Sequence, residues 1–263
     1  MNEGKLERYI SIAIEGALIG REEILRQYGR KQEVFSKGGV DGYTSTDQEL
    51  EEKTRTYLKK ETGIDVYGEE KGGNESLELL WVIDKIDGTP NFRSGVPLFG
   101  SAVSLLKENE CLITAIFLPI LNELYSGCKT LGSYKWINSS KEKLQVSLET
   151  DIRHVQIATD LSYSGREEKL RKMSRYASLP FYCPIYGSAS YSMCKVADGS
   201  FSGYVIFDVN INDIFTGPLL ISEAGGIVSD NKGKAITRET RTLVAASNKE
   251  IHRRLLDTLK NEH

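Results

Sequence analysis

The sequence predicts a mixed fold, an α+β first half joined to an α/β second half. Three observations carry that expectation: apolar residues at helical spacing near the start, short runs of β-branched and aromatic residues through the middle, and a more regular strand-helix alternation in the second half. At 263 residues the chain can bury a sizeable core, as one large domain or as two modest ones sharing an interface. No Gly/Ser or Pro linker, repeat or low-complexity stretch separates the halves. The loop expected at 135–143 is the best boundary, giving an N-terminal lobe at 1–140 and a C-terminal lobe at 141–263.

Leu6, Ile10, Ala13, Ala17, Ile24 and Tyr28 approximate one stripe with charges between them, which predicts a single amphipathic helix at the start. A loop with Gly38, Gly39 and Gly42 follows. Thr46 precedes Glu49 by three positions, a capping-box spacing that predicts a second helix to about Lys59 with Asp47 in its first turn. A strand is expected at 64–67. The run Leu79-Leu80-Trp81-Val82-Ile83 predicts a buried strand ending at Asp84, with Trp81 as a packing residue. Further strands are expected at 101–106, 112–118, 154–159, 203–207 and 242–246, and helices at 166–177, 188–197, 213–224 and 249–260.

With 34 Lys and Arg against 37 Asp and Glu, the net charge of -3 gives no sign of the basic face that nucleic acid requires. The apolar stretch 10–19 contains Glu15 and is too short and polar to cross a bilayer, and the start lacks the features of a signal peptide. Cys111, Cys128, Cys183 and Cys194 have neither metal-ligand spacing nor the density of a disulfide scaffold, so they are expected to be reduced thiols of a cytoplasmic protein.

The informative segment is Asp84-Lys85-Ile86-Asp87-Gly88-Thr89. Two carboxylates three apart, just beyond an apolar strand, can converge on one point past its end. Gly88 lets backbone come close to a ligand, and exposed amides at a following turn suit an anion. Gly68-Glu69-Glu70 offers a third carboxylate at a strand end. Asp213 opens a helix that closes at Glu223-Ala224-Gly225-Gly226. Taken singly, each of these acids reads equally as a turn or a helix cap.

Together, in order and spacing, these pieces resemble the inositol monophosphatase family, part of a lithium-sensitive superfamily that includes fructose-1,6-bisphosphatases and 3'-phosphonucleotide phosphatases; the likeness runs from the first helix to the last. The resemblance implies a layered αβαβα sandwich and magnesium-dependent hydrolysis of a small phosphate monoester of a polyol or sugar. It implies one metal held by Glu69, Asp84 and the Ile86 carbonyl, a second by Asp84, Asp87 and Asp213, and a weaker third sharing Glu69, with manganese as a substitute. Oxygen-only ligands suit magnesium. By the same resemblance Thr89 and Asp47 orient and deprotonate the attacking water. Asp87 and the Gly88 and Thr89 amides meet the substrate, Gly187, Ser188, Ala189 and Ile206 line its pocket, and Lys37 and Asp41 belong to a mobile loop over the metals. A homodimer, with neither membrane nor nucleic acid as partner, is implied as well.

Three departures stand out. Lys85 occupies the place of a proline between the metal aspartates, Asn212 replaces a tryptophan, and Pro218 falls inside the helix expected at 213–224, where it should kink the chain. Ile206 aligns with a glutamate that grips an inositol hydroxyl in animal members, and it cannot accept that hydrogen bond. Inositol 1-phosphate is therefore not the expected best substrate. Hydrolysis of a 3'-phosphonucleotide or of fructose 1,6-bisphosphate stays open, as does a catalytically weak protein that binds metal and phosphate.

Overall fold

The computed structural model describes residues 1–38, 41–138, 140–161 and 165–260, without the side chains of residues 36–38, 41, 177, 178 and 260. Helix α1 (Glu3–Leu18) is capped by the Asn2 side chain, which accepts from the Lys5 amide at 3.0 Å. The single opening helix expected from the apolar stripe is in fact two, because Gly20 adopts φ 83° before α2 (Arg21–Gln27). A Cβ at Gly20 would lie 2.2 Å from Leu50 Cδ2, so the close packing of Leu50 and the break in the helix have one cause.

Strands β1 (Val34–Gly38) and β2 (Asp41–Thr44) pair as a hairpin where a loop was expected. In α3 (Ser45–Thr62) the capping box is Thr44 with Asp47, two positions earlier than the predicted Thr46 with Glu49. Thr44 has the extended backbone of a cap, whereas Thr46 is already inside the helix and donates its hydroxyl to Gln32. Asp47 is in the first turn, as expected.

The first sheet runs through β3 (Val66–Gly68), β4 (Leu79–Asp87), β5 (Gly100–Lys107), β6 (Glu110–Leu118), β7 (Glu123–Cys128), β8 (Gly132–Ile137) and β9 (Ser140–Lys143), in that spatial order. Only β3 with β4 is parallel. A short helix, α4 (Thr89–Ser94), follows β4. The loop expected at 135–143 is instead strand, with Tyr134 opposite Lys143. All of β9 is exposed, and a polar edge strand of this kind carries no apolar pattern by which sequence could reveal it.

The second sheet contains β10 (Ile157–Thr159), β11 (Gly203–Phe207), β12 (Ile227–Asp230) and β13 (Thr242–Ala246), ordered β10-β11-β13-β12. Around it lie α5 (Arg166–Ser174), α6 (Ala189–Ala197), α7 (Ile211–Thr216), α8 (Pro218–Glu223) and α9 (Lys249–Lys260). The strand expected to begin at His154 begins at Ile157, because Asp151 caps a 3-10 turn over Ile152–His154. The helix expected at 213–224 is divided at Gly217.

Period-two alternation along β4 sends Leu80 and Val82 to one core and Trp81 and Ile83 to another. The first core joins the seven-stranded sheet to Met193, Cys194, Phe215 and Leu220 of α6 to α8, and through them to Tyr204 and Ile206 of β11. The second lies under α1 and α3, where the Trp81 ring lies tilted beside Tyr9 and donates its N–H to Thr62 at 3.1 Å. A third core places α9 on the far face of the four-stranded sheet, with Ile251 and Leu255 against Val205 and Val244. The order is helix, sheet, helix, sheet, helix. Both faces of β4 are thus buried, which is why its sequence is continuously apolar instead of alternating.

Candidate active site

The site grows from the far end of β4. That strand does not stop at Asp84, as expected, but continues to Asp87 through a bulge: Asp84 pairs with Ala102 and Asp87 with Gly100, so three steps on β4 match two on β5. The extra residue re-aims the chain. Buried Lys85 sits in this bulge, and its ammonium donates to the carbonyls of Gly16 at 2.9 Å and Ala17 at 3.5 Å. These belong to the last turn of α1, where carbonyls lack helical partners and the dipole favours a cation. Ser101 donates to the Ala17 carbonyl as well, at 3.0 Å. Lys85 thus tethers the bulge to α1. Burial pulls the Lys85 pKa down to about 7, against the opposing pull of Asp84.

Asp84 is 6% exposed, and burial pushes its pKa well above the ordinary carboxylate range. Repulsion from Glu69, Asp87 and Asp213 and a hydrogen bond with Glu69 act in the same direction. Burial also raises Asp87, although its Oδ2 accepts from the Ser188 hydroxyl and the Ser190 amide, both at 2.6 Å. Asp213 is the third residue of α7 and shares a capping box with Asn210. Burial, then Asp87 and Glu69, push it well up. Asn212 donates to the Ile83 carbonyl at 2.9 Å and so fastens α7 to β4 beside the cleft. Acids from three separated segments therefore press on one another. Among the described residues, however, no three His, Cys, Asp or Glu side chains form a ready-made metal nest. The two observations are compatible, because like charges that face one cleft repel, and electrostatic reach is longer than chelating distance. Their all-oxygen chemistry fits a hard divalent cation.

Behind this cluster the Thr89 hydroxyl lies 3.0 Å from the Ile86 carbonyl and 3.2 Å from Asp47 Oδ1. One proton cannot serve both, so the hydroxyl is a switchable donor. Asp47 is 2% exposed, and burial pushes it up to about 6. The Thr44 amide at 2.8 Å and hydroxyl at 2.5 Å, both donating to Oδ2, work against that rise.

Gly88 has φ 95°, and a Cβ there would come within 3.0 Å of the Gly187 carbonyl and 3.1 Å of Ser188 Cβ. The glycine is required by the approach of the Gly187-Ser188 turn to β4. Asn91 fastens the same turn, donating to the Tyr186 carbonyl at 2.7 Å. Ser188 caps α6, accepting from the Tyr191 amide at 3.2 Å, and Ala189 is buried behind it. Ile206 packs within the core between the sheets. The side chains of Lys37 and Asp41 lie outside the described residues.

Two buried acids escaped sequence reasoning. Asp160 follows β10 and accepts from the Tyr204 hydroxyl at 3.1 Å and from the Leu161 and Gly187 amides. Burial and then Asp87 push it up to about 6. Glu51 is buried in α3 and accepts from the Glu70 and Lys71 amides at 2.8 and 3.0 Å. A lone Asp after a short strand and a Glu within a charged helix carry no motif. Only the helical offset of four from Asp47 to Glu51 hinted at a shared face.

A model of the inositol monophosphatase family matches residues 5–263. A fructose-1,6-bisphosphatase/inositol-1-monophosphatase of Aquifex aeolicus is 31% identical over 234 residues, covering 84% of this chain and 85% of that protein. The inositol monophosphatase of Dictyostelium discoideum is 29% identical over 257 residues, 92% of each. Among solved structures, the extragenic suppressor protein suhB of Bartonella henselae has a TM-score of 0.86 at 24% identity, covering 96% of this chain and 98% of that one. An inositol monophosphatase from Anabaena has a TM-score of 0.83 at 25% identity, covering 97% and 96%. Fold and relatives together define a hydrolase of phosphate monoesters. The chain belongs to the inositol monophosphatase family, whose members are metal-dependent, typically with magnesium.

Proposed function

We propose that this chain hydrolyses a small polyol or sugar phosphate with Mg2+ as cofactor. The observation that carries the reading is the mutual pressure of Asp84, Asp87, Asp213 and Glu69, with the Thr89 to Asp47 hydrogen bond beside them. Glu69, Asp84 and the Ile86 carbonyl would hold one ion and Asp84, Asp87 and Asp213 another; a third would share Glu69, and Mn2+ would substitute. Bound cations of this kind supply Lewis acidity, neutralising phosphoryl charge and acidifying a water.

The chain's own groups do the rest. Thr89 orients the attacking water, and its hydroxyl proton passes towards Asp47, whose pKa of about 6 suits a base working near neutrality. Water attacks phosphorus as the bond to the alcohol oxygen breaks, giving up a proton to Thr89 as Thr89 gives its own to Asp47, while the departing alkoxide takes a proton from solvent; no covalent intermediate is needed. Gly88 and Thr89 present amides to the phosphate, while Asp87 is held in place by Ser188 and Ser190. The Gly187-Ser188-Ala189 turn borders the leaving alcohol. Ile206 offers it no acceptor, which disfavours an inositol phosphate. In this reading lobe 1–140 supplies Glu69, Asp84 and Asp87, lobe 141–263 supplies Asp213, and the protein is a cytoplasmic homodimer. The Aquifex relative, named for two activities, favours one second reading, hydrolysis of a sugar bisphosphate on the same site.

The test is phosphate release from inositol 1-phosphate, histidinol phosphate, sugar monophosphates, fructose 1,6-bisphosphate, adenosine 3',5'-bisphosphate and NADP, each with Mg2+, Mn2+ or chelator. Mg2+-dependent turnover of a polyol or sugar monophosphate, lost with chelator and in Asp87→Asn, is expected. Turnover indifferent to both treatments would contradict the proposal. Binding of metal and phosphoester with only background turnover throughout would make this a binding protein.

A further inference from the structure

We infer that Glu51, paired with Arg55, is a positioning residue that sets the Glu69 carboxylate for the cation and thereby tunes metal affinity. The inference rests on the proposed reading of Glu69 as a metal ligand. Asp47, Glu51, Thr54 and Leu58 are the buried face of α3, recurring at helical spacing. One helix therefore serves both halves of the site: Asp47 at its start meets Thr89, and Glu51, one turn on, meets the turn that carries Glu69.

The grip on that turn is extensive. Glu51 Oε2 accepts from the Glu70 amide at 2.8 Å and Oε1 from the Lys71 amide at 3.0 Å, the two peptide groups that follow Glu69. Arg55 donates to Glu51 Oε1 at 3.1 Å, to the Gly72 carbonyl at 2.8 Å and to the Val66 carbonyl. Gly68 and Gly72 exchange backbone hydrogen bonds at 3.1 and 2.9 Å, closing the turn on itself. A Cβ on Gly68 would lie 2.2 Å from the Glu51 carboxyl carbon, so the glycine before Glu69 is required by the approach of this carboxylate.

Burying a carboxylate costs several kcal/mol unless its charge is paired and its lone pairs are filled. Here both conditions are met by Arg55 and two amides, at 1% exposure. Glu51 meets the turn at the Glu70 and Lys71 amides, so it acts on Glu69 through the backbone. A group that fixes a ligand from behind controls affinity for the ion more than the step that follows binding.

The experiment compares wild type, Glu51→Gln, Arg55→Lys and Glu52→Gln. Glutamine keeps the shape but turns one oxygen into a donor facing an amide donor, and lysine keeps the charge but loses the fork. Glu52→Gln is the control: that exposed side chain pairs with Lys71 of the same turn at 2.6 Å without touching its backbone. Calorimetric Kd for Mg2+ and the half-saturating Mg2+ for turnover should both rise about 10–100-fold in Glu51→Gln and by less in Arg55→Lys. High Mg2+ should recover most of kcat, and Glu52→Gln should match wild type. Should Glu51→Gln fail to fold, Arg55→Lys alone decides. Unchanged Mg2+ affinity in folded variants, with a lowered melting temperature, would overturn the inference and leave a structural clamp. Failure of wild type to bind Mg2+ would overturn the metal reading and this inference with it.

Discussion

Lys85 concentrates the physics of the site in one side chain. Its ammonium closes the last turn of α1 and so anchors the bulge between Asp84 and Asp87 to that helix. Burial holds its folded pKa near 7, whereas an unfolded lysine titrates at about 10.4. Between those values the unfolded chain keeps the proton and the folded one releases it, so stability rises with pH across that window. Denaturant unfolding of metal-free protein from pH 7 to 10 should show this rise in wild type and a flatter profile in Lys85→Met. Equal slopes would mean that the ammonium is not desolvated. At this scale the acids that the fold gathers around Asp84 were legible because Gly68-Glu69-Glu70 and the run from Trp81 to Thr89 keep their spacing. Asp160 and Glu51 were illegible, since only folding makes a carboxylate between Tyr204 and Gly187, or beneath a turn, different from any other acid.

At the scale of elements, Pro218 shows how a residue that breaks a pattern can serve it. The expected kink is a clean division: Gly217 ends α7, and Pro218 takes the first position of α8, where a missing N–H costs nothing. Gly217 cannot carry a side chain, because a Cβ would lie 2.4 Å from Met193 Cβ. Asp213 is thereby aimed by a short helix of its own, independent of α8. Pro218→Ala should lower stability by about 0.4–1 kcal/mol, through the added freedom of the unfolded chain. A gain in urea midpoint, from fusion of the two helices, would contradict this division. The core strands β4, β11 and β13 were readable because their apolar runs sit between covered faces. The hairpin of β1 and β2 and the edge strand β9 were not, for their pairing depends on neighbours that leave no periodic trace in a polar sequence.

For the whole molecule, the two sheets and the helices between them bring acids from residues 69, 84, 87 and 213 to one cleft, against their own repulsion. Asp84, Asp87 and Asp213 all have folded pKa values raised above those of an unfolded chain, first by burial. Each therefore contributes stability that is present at acid pH and lost as pH rises through its folded value. In the proposed reading a cation would reverse that loss by displacing the protons, so binding of Mg2+ would release protons and weaken as pH falls. The layers that stabilise the chain also hold the charges that a bound metal would neutralise in the proposed reading.

The most direct measurement is calorimetric titration of Mg2+ into metal-free protein at pH 6 and pH 8, in buffers of different ionisation enthalpy, for wild type, Asp84→Asn and Asp213→Asn. The account predicts binding with proton release in wild type, tighter at pH 8, and loss of that binding in both variants. Mg2+ bound equally well by wild type and both variants, with no proton released, would contradict it.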